Sequence, residues 1–204
     1  MFYVDDIPQA PLVIEPPEGL ELGDWDTASA LLIDPTGFGV ALDAALDLED
    51  NAVAVLFPDD ESPFDNAGIY RVRVILGMSS ASPTIKLPDV RIVAQDPEVT
   101  DWHTLDSIRD EWADAEHIPD ALLYRMLEVS KGEVLSYGPT LADDDVIPSR
   151  FKDAQGMQAR NRWNARRVSP DGGMGSEEFV IRPFPLDWHV KATIRPKRVV
   201  GGMF

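Results

Sequence analysis

The chain has 204 residues, with 36 acidic against 18 basic side chains and a formal net charge of -18. Hydrophobic residues make up 44%, enough to bury a core, so wholesale disorder is excluded. Cysteine is absent, which excludes disulfides, thiolate zinc sites, iron–sulfur clusters and cysteine nucleophiles. The length suits one large domain or two small ones. The first ten residues, MFYVDDIPQA, lack a basic stretch, so no secretory leader is expected. No apolar run approaches the roughly 20 residues that span a bilayer, so no membrane partner is expected.

Residues 8–97 read as an all-β domain. Seven short apolar runs (12–14, 30–33, 40–48, 52–57, 68–76, 84–87 and 89–94) are separated by Pro, Gly, Asp and Asn clusters. The clearest is IYRVRVIL over 69–76. Tyr70, Val72, Val74 and Leu76 share one face, and Arg71 and Arg73 the other, as in an antiparallel strand buried on one side. Seven runs in this length predict a two-sheet sandwich. The segment 41–48, ALDAALDL, also suits a short helix.

From Thr100 the period changes. Thr104 is placed to cap a helix bearing Leu105, Ile108, Trp112 and Ala115, with Trp102 and Trp112 packing it. His117-Ile118-Pro119-Asp120 breaks that helix. A second runs from about 120 to 136, with Leu123, Met126, Leu127, Ser130 and Val134 on one stripe. Gly138 is expected at the C′ position just past its end. A third helix spans about 148–168, with proline near its first turn. Its apolar stripe is thin: Phe151, Ala154, Met157, Ala165 and Val168. Gln155, Gln158, Asn161 and Asn164 then imply polar helix-to-helix contacts or a wet interface, and so thin a stripe favours an oligomer. Residues 169–175 read as a loop, and 179–182 and 188–194 as extended. The prolines at 183 and 185 make residues 176–204 an extended arm with a basic tip. Deleting that arm is expected to leave both domains folded.

Charge is segregated along the chain. Residues 1–149 hold 31 acidic and 7 basic side chains, a net of -24; residues 150–204 hold 5 and 11, a net of +6. The acidic majority repels nucleic acid, whereas the basic end suits an acidic partner or the opposite end of a neighbouring copy.

Catalytic patterns fail their structural tests. Gly37-Phe38-Gly39 and Gly172-Gly173-Met174-Gly175 lack the strand–loop–helix context of a phosphate loop, and turn chemistry explains them better. His103 and His117 flank one helix without ligand spacing. Asp143-Asp144-Asp145 lacks a calcium-loop pattern and reads as a solvated loop. No GxSxG elbow occurs. No enzymatic activity, catalytic residue, cofactor or metal is expected. Trp25 reads as a core-rim side chain or a sugar-stacking one. Trp163, among Arg160, Arg162, Arg166 and Arg167, reads either as a buried tryptophan beside solvated arginines or as an interface anchor.

Residues 101–198 resemble the head-to-tail adaptor (head-completion, connector) proteins of tailed bacteriophages, especially those infecting actinobacteria. The resemblance rests on the acidic helix start after Asp101, LLYRMLEV at 122–129, Tyr137-Gly138-Pro139 and IPSRFK at 147–152. It continues through QARNRWNA at 158–165 and IRPFPLDW at 181–188. It implies a helical adaptor domain over 98–175 and a portal-docking arm over 176–204. The chain would then form a dodecameric ring in the virion neck, joining the capsid portal to the tail. The implied partners are the portal protein, a tail-proximal stopper and other copies of the chain, with genomic DNA sliding through unread. Trp163, Arg166, Arg167, Phe184, Trp188, Arg195, Lys197 and Arg198 are the implied portal or subunit contacts. Asn66-x-Gly68-x-Tyr70 resembles the tyrosine corner of immunoglobulin-like sandwiches, with Val72 where antibody domains carry cysteine. The expected fold is therefore α+β: an immunoglobulin-like sandwich fused to a small helical bundle with an extended arm. The alternative is a carbohydrate- or protein-binding sandwich of a phage tail or baseplate.

Overall fold

A computed structural model describes residues 1–78, 84–142, 145–167 and 185–196. The chain divides into two compact units, Met1–Glu98 and Val99–Phe204. The boundary falls inside the span where the periodicity changes.

The first unit is a curled sheet of eight strands: β1 (Phe2–Tyr3), β2 (Leu12–Ile14), β3 (Thr27–Ile33), β4 (Gly39–Asp47), β5 (Ala52–Leu56), β6 (Gly68–Gly77), β7 (Thr84–Lys86) and β8 (Val90–Gln95). The order is β1-β8-β6-β3-β4-β5-β2, with β7 also on β6. All pairs are antiparallel except β1 with β8. The expected two sheets are one continuous sheet, because β4 serves both layers. Its first half, Gly39 to Leu42, pairs with β3, and its second half, Asp43 to Asp47, pairs with β5. Ile14, Val53 and Val55 from one end of the strand order share a core with Tyr70, Val72, Val74 and Leu76 from β6. The sheet closes over its own apolar face. Leu42, Ala44 and Leu46 turn inward at period two, which settles 41–48 as strand.

Phe2 explains β1, which has no periodicity to read. Its ring lies 4.7 Å from Phe64 and 5.5 Å from Phe57, in an aromatic group that Tyr70 completes 5.1 Å from Phe64. The Gly37-Phe38-Gly39 segment is a turn. The Asp34 carboxylate accepts from Thr36 Oγ1 and from Phe38 N at 2.7 Å, which lowers its pKa, and Gly37 takes φ 98°. The Tyr70 hydroxyl donates to Asn66 O at 3.0 Å and accepts from Asn66 N at 3.1 Å, forming the predicted corner. Gly68 sits in that corner at φ 152°, where a Cβ would overlap Pro35. Tyr70→Phe is expected to cost about 1 kcal/mol, the net worth of the hydrogen bonds that its hydroxyl makes to the Asn66 backbone. Urea unfolding of the variant checks this.

The second unit contains α1 (Leu105–Glu111), α2 (Asp120–Tyr137), α3 (Ser149–Arg167) and α4 (Trp188–Ile194), with a 3-10 segment Ala113–His117 after α1. Thr104 caps α1 through a capping box with Ser107. The α2 stripe is buried as its spacing predicts: Leu123, Met126, Leu127, Ser130 and Val134. Gly138 ends the helix as its C-cap, with φ -63° and its N–H donating to Val134 O. Glycine is needed there because a Cβ would lie 2.8 Å from the Phe151 ring.

Two expectations are corrected. Residues 188–194 are not an extended arm but helix α4. Asp187 caps it by accepting from Val190 N at 2.8 Å, and Val190 and Ile194, one turn apart, are buried against Trp102, Val134, Phe151 and Ala154. With only two buried positions, a helix this short leaves almost no periodicity to detect. The arm therefore cannot be removed without opening this core. The remainder of the expected arm, residues 176–184 and 197–204, lies outside the described residues, as do Val168, the 169–175 loop and Asp143-Asp144. Second, the buried face of α3 is largely polar. Gln155 and Gln158 are buried with Phe151, Ala154, Ala159 and Arg162. Its thin apolar stripe is thus no sign of a missing partner.

Candidate interaction surface of the helical unit

The polar face of α3 makes several hydrogen bonds within the unit. Gln155 Nε2 donates to Leu127 O at 3.1 Å, and its Oε1 accepts from His103 N at 2.8 Å, tying α2, α3 and the approach to α1 together. Glu133 on α2 accepts from Gln158 Nε2 at 2.8 Å, from Arg162 Nε at 3.2 Å and from Arg162 Nη2. Arg160 donates to Glu111 O at 2.7 Å and lies over the Trp112 ring. Trp163 is partly buried; its indole Nε1 is shielded and has no hydrogen-bond partner among the described residues. Arg166 is exposed on the last turn.

The α4 helix is clasped at both ends. Asn161 Nδ2 donates to Asp187 Oδ2 at 2.8 Å. The bonds from Val190 N and then Asn161 hold the Asp187 carboxyl below its usual range. Arg150 Nε donates to Ile194 O at 3.2 Å, closing a free carbonyl at the other end. Arg195 donates to Gly138 O at 2.9 Å, and its guanidinium lies 5.0 Å from the Tyr137 ring, with Lys191 at 5.8 Å. The guanidinium thus serves the carbonyl end of α2, where the helix dipole favours a cation.

With Val190 and Ile194 turned inward, α4 presents Trp188, Lys191 and Arg195 outward. Spacings of three and four residues put them on one stripe, about 10 Å long at 1.5 Å per residue. Trp188 is 70% exposed, with its ring centroid 3.4 Å from that of His189. The structure therefore brings Trp188 and Arg195 onto one surface. Lys191 joins them, a residue not singled out by sequence because only a helix aligns it. Arg167 ends α3 and nothing further is described of it; Phe184, Lys197 and Arg198 lie outside the described residues.

His103 makes no open site. Its side chain is buried, Nδ1 lies 3.2 Å from the capping serine Ser107, and Nε2 lies 3.8 Å from Glu111 and close against Gly156. Among the described residues no three His, Asp or Glu side chains converge on a possible metal position. Burial lowers the His103 pKa from 6.5, against the pull of Glu111 and Asp153; Lys152 and Arg160 act with the burial. The unfolded chain thus takes up this proton first. The stability it confers is full above pH 6.5 and falls as pH drops below that value. The urea midpoint of the helical unit is expected to fall between pH 7 and pH 5.5, and His103→Gln to flatten that slope.

No described helix is long and apolar enough to cross a membrane. No protein-family model matches the chain, and no curated protein matches it.

Proposed function

We propose that this chain is a structural protein of a tailed-phage virion, an adaptor whose copies close a ring at the neck between portal and tail. The observation that carries the reading is the α4 stripe. A helix locked into its core by Val190 and Ile194 holds Trp188, Lys191 and Arg195 outward, and tryptophan and arginine dominate the energetics of protein interfaces. A pre-ordered anchor loses little entropy on docking. The matching partner surface is acidic and apolar, as a portal contact for this basic end requires. The Tyr70–Asn66 corner supports reading the first unit as an immunoglobulin-like domain fused to the adaptor. Twelve copies close by heterologous side-to-side contacts, and a lumen lined by acidic side chains lets DNA slide without gripping phosphates. No chemistry is performed; the function is assembly and passage.

Quantitative mass spectrometry of purified particles is the test. About a dozen copies per particle are expected for one closed ring. Trp188→Ala, at a position 70% exposed, is expected to keep the fold and lower incorporation on the order of tenfold or more. Unchanged incorporation, or absence of the wild-type chain from particles, overturns the reading. A second reading, a binding module on the β unit, draws on a hollow beside Trp25; a glycan array separates it, because an adaptor binds nothing there.

A further inference from the structure

The outer face of the β unit carries an arginine pair that the described residues do not neutralise. Arg71 on β6 and Arg91 on β8 are directly opposite in the antiparallel ladder, which sets their Cβ atoms about 5 Å apart. Both point away from the core that Tyr70, Val72 and Ile92 enter, and both are exposed. Like charges in this register repel. Further along the same face Arg73 and Lys86 share Asp89, at 3.4 and 3.0 Å. Arg71 and Arg91 have no hydrogen-bond or ion-pair partner among the described residues. In register beyond Arg71 come Ile33 and then Gly39, which offer no carboxylate. The acid next to Ile33, Asp34, is held in its own turn by Thr36 Oγ1 and Phe38 N.

Acid is abundant in the unit but placed elsewhere. Residues 1–70 hold 16 acidic side chains and no basic one. The turn from β4 to β5 gathers Asp47, Glu49 and Asp50, all exposed, around Leu48, which is 62% exposed. This turn is pre-ordered. Asp47 Oδ1 accepts from Glu49 N at 3.1 Å and from Asp50 N at 3.2 Å. Asn51, at φ 48°, accepts from Leu22 N at 2.9 Å and donates to Leu20 O at 3.2 Å. Gly39, in register with the arginine row, begins β4, and Asp47 ends it eight residues later. That is about 26 Å along the strand, so the turn cannot reach the arginines of its own copy.

We propose that the arginine pair receives the acidic β4–β5 turn of a second copy of the chain. Glu49 and Asp50 accept from the Arg71 and Arg91 guanidinium groups, whose paired donors match a carboxylate. Phe38, 68% exposed in the turn just before Gly39, offers Leu48 an apolar neighbour at the same end of β4. The net charge of -18 repels nucleic-acid phosphates at long range, so a carboxylate surface is the better occupant. Turn and arginines lie at opposite ends of one strand, so the contact is heterologous. Each copy offers its turn to one neighbour and its arginines to the other, the arrangement that closes rings. The contact agrees with the adaptor reading but does not rest on it, since it follows from the β unit alone.

Sedimentation of the full chain at low salt is expected to show self-association that rises with protein concentration and weakens with added salt. Arg71→Glu/Arg91→Glu and Glu49→Lys/Asp50→Lys are each expected to raise the dissociation constant about tenfold or more. Every changed side chain is exposed, and the urea midpoint of the β unit checks that each variant keeps its fold. An equimolar mixture of the two variants is expected to associate again. There the reversed arginine face meets the reversed turn, and the two native surfaces meet each other. Association that neither variant weakens, or a chain that stays monomeric at every concentration, overturns the proposal. Loss in both variants without recovery in the mixture overturns the turn as the occupant. A short DNA duplex held by the wild-type chain and released by Arg71→Glu/Arg91→Glu reassigns the face to phosphate and overturns the second copy. Self-association is read in solution without particles, so this contact and the virion reading fail separately.

Discussion

A chain truncated after Pro185 is expected to lose the cooperative unfolding transition of its helical unit. The deletion removes Val190 and Ile194, both fully buried among Trp102, Val134, Phe151 and Ala154. Each buried aliphatic side chain is worth about 1.5–3 kcal/mol. The deletion also uncovers Phe151 and Trp102 and frees the carbonyl end of α2 that Arg195 serves. The summed loss, on the order of 5 kcal/mol, is comparable with the whole stability of a small domain. None of the deleted residues belongs to Met1–Glu98, so the transition of the β unit should persist. Far-ultraviolet circular dichroism at a helix-sensitive wavelength, followed through urea, reads the outcome. Full helical signal with an unchanged midpoint would refute the packing of α4. The milder Ile194→Ala should cost about 2–4 kcal/mol at full chain length. Comparing it with Trp188→Ala separates folding from docking: one side chain faces the core and the other faces away.

Arg162→Met is expected to destabilise the helical unit by about 2–3 kcal/mol, near the low end for breaking a buried ion pair. The guanidinium lies in the α2–α3 contact with its side chain 10% exposed, whereas the Glu133 side chain retains 27% exposure and some hydration. Removing the cation alone strands Glu133 between the helices, still accepting from Gln158. The double variant Glu133→Gln/Arg162→Met should recover much of the loss, because an amide keeps an acceptor for Gln158 without a buried charge. Urea midpoints of the two single variants and the double give the coupling. Additive losses would show that the pair does not act as a unit.

The strands and the longer helices were legible because their signal is local. Along β6 the alternation of Tyr70, Val72, Val74 and Leu76 with Arg71 and Arg73 is the face assignment itself. Along α2, five apolar or small side chains at helical spacing are the five that are buried. The Thr104 cap and the Tyr70 corner were legible for the same reason, since each hydrogen bond spans three or four residues. The misses are positions where a distant contact decides. Nothing near α4 reveals that Val190 and Ile194 meet Phe151. Along α3 the glutamines read as helix-to-helix contacts or a wet interface, and only the tertiary structure decides for the first, with Leu127, Glu133 and the His103 backbone as partners. Lys191 joins the candidate surface only once the segment is helical.

By itself the sequence determined the β-then-α order, the inward faces of β6, α1 and α2 and the segregation of charge. Those properties follow from the period of apolar residues and from composition, which survive without knowing what packs on what. The tertiary structure alone decided that β4 is shared by two layers of one curled sheet, that its pairing with β3 ends at Leu42, and that the presumed arm is partly a helix. These depend on contacts between residues tens of positions apart. There the burial of a few side chains, such as Phe2 on Phe64 or Ile194 on Phe151, outweighs a weak local preference.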